Sequence, residues 1–591
     1  PPAGRETTSA DGRGSAQETT PAQRPGSAQE TAEAESSAAQ REIAEFQGGA
    51  AIVTAGPGTG KTHTLVSWIC TALEKDRARP ENILAITFTN KAALEMKQRL
   101  AALLSENADK ITVCTFHALC FDIIRSHFPG VKSVYDRAGR RALLHYLHPG
   151  RTKPEIEKLA KKIEQYLDGS ELDIDEATEK TAIAYQNELK AVRAVDIAAL
   201  INEVNLIFEQ WPQILSHYRE RYTFIAVDEF QDINPAQYAL ISALIGNKPI
   251  ETGGKKLLFK SVLAIGDPDQ AIYAFRGADP RLFFRFQNDC QARHFLLSVN
   301  YRSVRPVIGA AGALINHNSF KSGLKLQAQR GDGKRLSVVR LDNEYHEAEY
   351  IAESIRTLVG GTDSVSVAAL GPRTEQEYSF HDLAVLVRTH TMEKTLYTVF
   401  ERRGIPVALR SEYSLLNEPP FSLLSSYLRL LYNRQDVIAF REVISGSIRG
   451  LSGDEFSALT FLFGQENGNR RNMLANRSLQ KILAGEHAVQ VEELLNFLEF
   501  VEVSIEFQGI YKGLFIVLEK IIPNAEDEEH KLKINALLEL ARVYQGDPAG
   551  FLRHMFLCVF ESQGTSPPEK VHLLTFHAAK GLEFPVVFIA G

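Results

Sequence analysis

Apolar positions along the chain follow two rhythms. Short apolar runs at residues 51–54, 224–227 and 262–265, and strand signals at 337–341 and 382–387, each predict a strand. A four-residue spacing after the first run, through Leu65, Ile69 and Leu73, predicts a helix. Between about 128 and 220 the pattern is charged and helical, as at 154–167 and 178–193, with little strand character. Helical spacing returns from about 411 to 567, for example at 421–431 and 491–501. The acidic run 524–529 inside it reads as a solvated loop. Residues 586–591 read as a buried strand with nothing after it to cover it. At the other end, residues 1–42 contain no Val, Ile, Leu, Met, Phe, Tyr, Trp or Cys, and Gly-Ser-Ala-Gln-Glu-Thr occurs twice, from Gly14 and from Gly26. Such a stretch cannot build a core and reads as a flexible linker.

Composition narrows the class. The 591 residues amount to several domains, and hydrophobic and charged fractions of 44% and 24% are those of a water-soluble globular chain. No apolar run is long enough to cross a membrane. Basic residues number 66 and acidic residues 73, a balance of −7, so contact with nucleic acid requires a local basic track. The five cysteines, Cys70, Cys114, Cys120, Cys290 and Cys558, form no C-x-x-C pair, which points to a reducing, cytoplasmic setting. The chain opens on Pro1 and stops after an uncovered strand, so an excerpt from a longer polypeptide is expected.

Three strand ends carry chemistry. The first run leads into Ala55-Gly56-Pro57-Gly58-Thr59-Gly60-Lys61-Thr62 and then a helix. Glycines there let backbone N–H groups converge on phosphate, with Lys61 reaching the β and γ phosphates and Thr62 holding Mg²⁺. Phe224-Ile225-Ala226-Val227 ends in Asp228 and Glu229, a metal-binding carboxylate followed by a candidate base toward water. The run 262–265 ends in Gly266-Asp267-Pro268-Asp269-Gln270, which puts an amide, Gln270, where it can sense a γ-phosphate. Taken singly, each is also an ordinary Gly-rich or solvated turn. Together they argue for a nucleotide hydrolase.

The residues now reached resemble the motif set of superfamily 1 helicases of the UvrD/Rep kind, in the same order. Gln40 resembles the adenine-reading glutamine of that family, and residues 55–62 its phosphate loop. Ile86-Thr87-Phe88-Thr89-Asn90-Lys91-Ala92-Ala93 resembles motif Ia, and Thr115-Phe116-His117 motif Ib. Asp228-Glu229-Phe230-Gln231-Asp232 resembles motif II, the segment 266–278 motif III, Asn300-Tyr301-Arg302-Ser303 motif IV, and Thr575-Phe576-His577-Ala578-Ala579-Lys580-Gly581-Leu582-Glu583-Phe584 motif V. The motifs cover the chain from about Gln40 to Gly591.

The resemblance implies an α/β fold of two RecA-like P-loop domains with parallel sheets, each carrying a mostly helical insertion, behind a disordered linker. The boundaries it suggests are linker 1–36, first core 37–127 and 216–280, first insertion 128–215, second core 281–410 and 568–591, and second insertion 411–567. It implies ATP with Mg²⁺ held by Thr62 and Asp228, catalysis by Lys61, Asp228, Glu229, Gln270 and Arg302, and ATP contacts from Gln40, Ala55, Gly56, Gly58, Thr59, Gly60, Lys61, Thr62, His63, Tyr301, Arg302, Gly581 and Glu583. Tyr301 would stack on adenine, Arg302 act as an arginine finger and Glu583 meet the ribose. DNA would lie on Phe88, Thr89, Asn90, Thr115, His117, Tyr273, Phe275, Arg276 and His577, with Phe88, Tyr273 and Phe275 as a stacking platform.

The implied activity is an ATP-dependent DNA helicase or translocase moving 3′→5′ on single strands, in repair or replication, with single-stranded DNA and single-strand/duplex junctions as partners and no membrane. Two alternatives stay open: the helicase part of a RecB/AddA-like helicase-nuclease, and a non-catalytic nucleotide-gated DNA-binding scaffold. The sequence departs from the family at His63, where Arg is common, and at Ser452, where relatives carry the second Gly of a duplex-gripping turn. Motif VI would lie beyond Gly591, so slow or absent hydrolysis is expected of the chain as given. Leu358-Val359-Gly360-Gly361-Thr362 and Asp267-Pro268-Asp269-Gln270-Ala271-Ile272-Tyr273 resemble UvrD-like helicases fused behind a PHP-type repair endonuclease, which implies such a domain upstream.

Overall fold

The computed structural model describes residues 38–170, 174–246, 251–252, 255–256, 260–318, 321–360, 378–409, 421–466, 468–475, 483, 485–523, 528–557 and 569–591. The expected linker, Gly361, Thr362 and most of the acidic run lie outside the described residues.

The first sheet has six parallel strands: β1 (Gly49–Ala55), β2 (Ile83–Thr87), β3 (Thr112–Thr115), β4 (Phe224–Val227), β5 (Ser261–Gly266) and β6 (Arg293–Leu297), in the order β6-β1-β5-β4-β2-β3. Every residue of β2, β4 and β5 is buried. The sheet is covered on both faces, which is why its strands read as continuous apolar runs rather than alternating ones. Val53, Ala85 and Ile265 face α2 (Lys61–Glu74) and α3 (Asn90–Leu104), which present Leu65, Ile69 and Met96; α1 (Ala38–Glu45) adds Ile43. Ile52, Leu84 and Ile225 face the opposite layer, where α4 (Phe116–His127) contributes Phe116 and Leu119.

The second sheet is parallel and four-stranded, with β7 (Leu383–Val387), β8 (Val407–Leu409), β9 (Val571–Thr575) and β10 (Val586–Ile589) in the order β8-β9-β7-β10. Val385 and Leu573 pack on Ile351 and Ile355 of the helix Glu344–Leu358 and on Val399 and Phe400 of the helix His390–Arg402.

Three expectations change. β6 pairs with β1, so residues 281–297 belong with the first sheet rather than the second core. Residues 337–341 form no strand and pair with no other strand, and Val338 is 96% exposed. The last strand, β10, is an edge strand rather than a buried one, with Ile589 72% exposed. A run of β-branched residues signals strand propensity, but neighbours decide whether it pairs and on which faces it is covered.

The first insertion holds the helices Arg137–Leu147, Lys153–Leu167 and Glu176–Ala191, started by Asp136, Thr152 with Glu155, and Asp175 as caps. It also contains a parallel strand pair, Ser133–Tyr135 with Ala194–Asp196, beyond its helical pattern. Arg140 donates two hydrogen bonds to Asp196, from Nε (2.9 Å) and Nη2 (2.8 Å), and both side chains are fully buried. Tyr185 Oη donates to the same carboxylate at 2.5 Å. Arg140→Met leaves Asp196 buried without its cation and is expected to cost about 3–5 kcal/mol. The check is a lower melting temperature together with faster amide exchange in the helices 137–147 and 176–191.

The second insertion includes the helices Phe421–Tyr432, Val437–Ser447, Gly453–Gln465, Glu486–Gln508 and Ile510–Ile521. Ser452 caps the third of these in a capping box with Glu455, so the departure from glycine there supplies a helix start. The two insertions touch: Tyr135 Oη donates to Asp436 Oδ1 (2.6 Å), Asn433 Nδ2 donates to the Val192 carbonyl (2.6 Å), and the Arg429 guanidinium lies 4.6 Å from the Tyr135 ring centre. Gly139 lies close to this contact: a Cβ there would sit 1.9 Å from Arg429 Nη1, so the buried guanidinium would have to shift. Among the described residues no helix is long and apolar enough to cross a membrane.

Candidate nucleotide site and nucleic-acid face

The carboxyl ends of parallel strands open toward one edge of the sheet, where α/β folds bind ligands. After β1 the chain turns through residues 56–60 into α2, whose free N-terminal N–H groups face the turn. Gly58 and Gly60 have φ of 64° and 85°, left-handed values that glycine adopts without steric cost. Ala55 is still strand, so its Cβ costs nothing where a strict phosphate loop has Gly. Thr59 Oγ1 donates to the Gly56 carbonyl (2.8 Å), and the Thr59 carbonyl accepts from Gln40 Nε2 (3.1 Å), tying the loop to α1. Thr62 and His63 occupy the first turn of α2, both half-buried.

Lys61 reaches across to the end of β4, where its Nζ donates to Glu229 Oε2 at 3.1 Å. The Asp228 amide donates to the Ile86 carbonyl, and Glu229 takes a left-handed conformation (φ 48°, ψ 46°) that few non-glycine residues adopt. This conformation aims the carboxylate at Lys61. Such strain persists where the surroundings hold it, and it clusters at functional sites. Burial pushes the Asp228 carboxyl up to about 7, with the adjacent Glu229 charge adding to the rise. Burial also acts upward on Glu229, but Lys61 and Gln231 outweigh it and hold this carboxyl below its ordinary value. Lys61 is a cation despite burial, because Glu229, Asp228 and Asp267 more than compensate. The two neighbouring acids are thus shifted in opposite directions, and Glu229 is held ionised at neutral pH.

Gln270, after β5, donates from Nε2 to Asp267 Oδ2 (2.6 Å). The segment following β6 seats on the loop: Tyr301 N donates to the Gly58 carbonyl (2.9 Å) and Asn300 Nδ2 to the Pro57 carbonyl (2.5 Å). Arg302 is exposed and pairs through Nε with Glu583 Oε2 (2.5 Å), two residues beyond Gly581, which has φ 80°. Beside the loop is a cavity of about 250 Å³ lined by Ala38, Ala39, Thr59, residues 296–299 and Tyr301.

The aromatic residues gather on the same edge. Phe88, after β2, stacks on Tyr273 at 5.1 Å between ring centres, and Phe275 meets His577, after β9, edge to face at 4.9 Å. Phe275 is 64% exposed, while Tyr273 is 7% exposed and fills the space beneath. Tyr273 therefore supports the platform, and Phe275 is its open ring. Thr89 is exposed at the start of α3 and accepts from the Ala92 amide, with Asn90 beside it. Arg276 falls in the turn Ala274–Arg276, and its side chain is outside the described residues. Thr115 differs from expectation: it is buried and caps α4, its hydroxyl accepting from the Ala118 amide. His117, in the first turn of α4, is half-buried, and burial lowers its imidazole to about 4.

A glycine turn from a parallel strand into a helix, with its lysine reaching an acidic residue at the end of a nearby strand of the same sheet, defines the P-loop α/β class. The chain matches the UvrD/REP helicase N-terminal domain over residues 36–291 and the UvrD-like helicase C-terminal domain over residues 295–591. It is 30% identical over 618 residues to the ATP-dependent DNA helicase UvrD1 of Mycobacterium leprae, spanning 92% of this chain and 76% of that protein. Identity is 29% over 583 residues to DNA helicase II of Escherichia coli K12, spanning 91% and 76%, and 29% over 586 residues to the ATP-dependent DNA helicase PcrA of Leuconostoc citreum, spanning 92% and 74%. The chain belongs to the UvrD-like helicase family.

Several residues of the site are absent from the sequence-based set. Ala38, Ala39, Leu296 and Val299 line the cavity, yet nothing in an alanine pair or an edge strand signals a ligand wall. Gln231 and Lys580 were legible only as motif letters. Gln231 Nε2 donates to Glu229 (2.7 Å), and Lys580 Nζ donates to Asp232 (2.5 Å).

Proposed function

We propose that the chain is an ATP-dependent DNA helicase that translocates 3′→5′ on single-stranded DNA and opens single-strand/duplex junctions, acting in the cytoplasm in repair or replication. The observation that carries this reading is the Lys61–Glu229 pair at the sheet edge, with Arg302 on one side and the Phe88–Tyr273–Phe275–His577 platform on the other. Phosphate chemistry and a base-stacking surface thereby share one edge.

In this reading adenine occupies the cavity against Tyr301, with Gln40 bonded to Thr59 in its wall, and the phosphates meet the N–H groups of residues 58–62. Lys61 neutralises β and γ oxygens, Glu229 orients and deprotonates the attacking water, Gln270 senses the γ-phosphate and Arg302 stabilises charge on the transferring phosphoryl group. Thr62 and Asp228 offer hydroxyl and carboxylate oxygens, a hard donor set that fits Mg²⁺ completed by phosphate and water. Mg²⁺ supplies charge neutralisation at the phosphates when bound. Each phosphate-directed group has an internal partner at rest: Lys61 on Glu229, Gln270 on Asp267 and Arg302 on Glu583. ATP enters by exchanging those partners, which draws the cores together.

The proposed domain division keeps the boundaries suggested by sequence, with the first core extended to residue 297. A fused endonuclease ahead of Pro1 stays in the proposal only on the wording of residues 358–362 and 267–273. Strand separation on tailed duplexes tests the function: with ATP and Mg²⁺, the full-length protein should open 3′-tailed substrates and leave 5′-tailed ones closed. Opening of neither, without DNA-stimulated ATP hydrolysis, would sink the reading.

A further inference from the structure

We infer that Lys580 is a positioning residue that relays the state of the nucleic-acid face to Glu229 and carries part of the DNA stimulation of ATP hydrolysis, an inference that rests on the function proposed above. Lys580 belongs to the second core, in the turn after β9, but its ammonium makes its bonds in the first. Nζ donates to Asp232 Oδ2 (2.5 Å) and to the Gln270 carbonyl (2.9 Å), and it lies 4.9 Å from the Tyr273 ring centre. Asp232 Oδ2 also accepts from Gln231 Nε2 (3.2 Å), and that same amide donates to Glu229 Oε2 (2.7 Å). Two side chains therefore separate Lys580 from the candidate base.

The chain of contacts is directional. A primary amide has two hydrogens to give. Gln231 spends one on Glu229 and one on Asp232, while its Oε1 accepts from the Asp267 amide (2.9 Å) and fixes the side chain. Gln231 and Asp232 are buried, and Asp232 Oδ1 has no protein partner, so the orientation of this carboxylate depends on Lys580 and Gln231. With Lys580 in place, Asp232 is satisfied by a cation and the amide holds Glu229 firmly. With Lys580 withdrawn, Asp232 has only the Gln231 amide to meet its charge, and drawing that amide closer loosens its hold on Glu229.

The other end lies under the platform. Tyr273, beneath the Lys580 ammonium, packs against Phe88 and Phe275, and His577, three residues before Lys580, sits edge-on to Phe275. A base stacked on Phe275 presses on this cluster and, through His577 and Tyr273, on the position of Lys580. The element with two arrangements is the second-core turn, docked on Asp232 or drawn away from it.

The test uses the full-length protein with oligo(dT) as the DNA probe. Lys580→Met should lower oligo(dT)-stimulated kcat by about tenfold or more, within the range of a coupling between two sites. KM for ATP and oligo(dT) affinity should each stay within about twofold, well below that coupling. Lys580→Arg, which keeps the charge, should retain most of the stimulation. Because Lys580→Met strands a buried carboxylate, Lys580→Met/Asp232→Asn is measured beside it; a relay predicts that the double variant regains melting temperature but stays as poorly stimulated as Lys580→Met. Undiminished stimulation in Lys580→Met overturns the inference. So does a loss of oligo(dT) affinity that tracks the loss of kcat, which would make Lys580 a phosphate contact. Recovery of both melting temperature and stimulation in the double variant would reduce the pair to a structural one and also overturn it. If the unaltered protein shows no oligo(dT)-stimulated hydrolysis, the proposed function falls, and the relay with it.

Discussion

Lys61→Ala is expected to abolish DNA-stimulated ATP hydrolysis in the full-length protein and to weaken ATP binding as well. The Lys61 ammonium is the cation nearest the loop, partly buried and bonded to Glu229 at 3.1 Å, so its loss acts twice. It removes the charge that would meet the β and γ phosphates, a contribution of about 10²–10³ in rate for one preorganised donor in a water-poor site. It also leaves Asp228, Glu229 and Asp267 without the cation that offsets their mutual repulsion, so protons should be taken up and Glu229 should move back toward its ordinary range. Turnover and fluorescent-nucleotide affinity are the two readouts, and undiminished turnover would contradict the site.

Glu229→Gln should separate binding from chemistry. The amide is isosteric and can still accept from Lys61, so ATP affinity should change little. Loss of the base should cut kcat by about 10²–10⁴, the usual contribution of a positioned proton acceptor. Single-turnover hydrolysis measured beside nucleotide affinity checks this, and a fall in both together would mean that Glu229 merely props the loop. The pH dependence has a definite sign. Lys61 and Gln231 hold the Glu229 carboxyl below its ordinary 4.5 against the upward pull of burial. Glu229 is therefore ionised throughout the neutral range, and any loss of rate due to its protonation should begin only below that value.

The difference between what was legible in the sequence and what was not follows physical lines. Residues 55–62, Asp228-Glu229 and Gln270 were readable because their chemistry depends on neighbours close in sequence: a strand end, a glycine turn and a helix start. The strands at 51–54, 224–227 and 262–265 were readable because sheets covered on both faces print continuous apolar runs. What escaped depends on partners far along the chain. Thr115 reads as a phosphate contact from sequence, but its hydroxyl caps α4, and the sequence does not tell that of the platform rings Tyr273 is buried and Phe275 open. Residues 337–341 have strand propensity with no pairing partner, which propensity alone cannot report. The expected start of the second core at residue 281 missed the strand Arg293–Leu297 for a related reason: which sheet an edge strand joins is decided by its register with β1, not by its own residues.

The contact between the two insertions has a consequence of a different kind. Asp436, Arg429, Asn433 and Tyr135 are buried there, and Asp436 Oδ2 with two guanidinium nitrogens of Arg429 is left without a hydrogen-bond partner. Burial pushes the Asp436 carboxyl upward, so the group gains little from being enclosed. Greasy surfaces slide over one another at small cost, whereas a hydroxyl aimed at a carboxylate and an amide aimed at a carbonyl fit in a single orientation. The joint between the insertions works as a key rather than as an adhesive: it contributes little net attraction, yet it permits one angle of docking and penalises every angle near it.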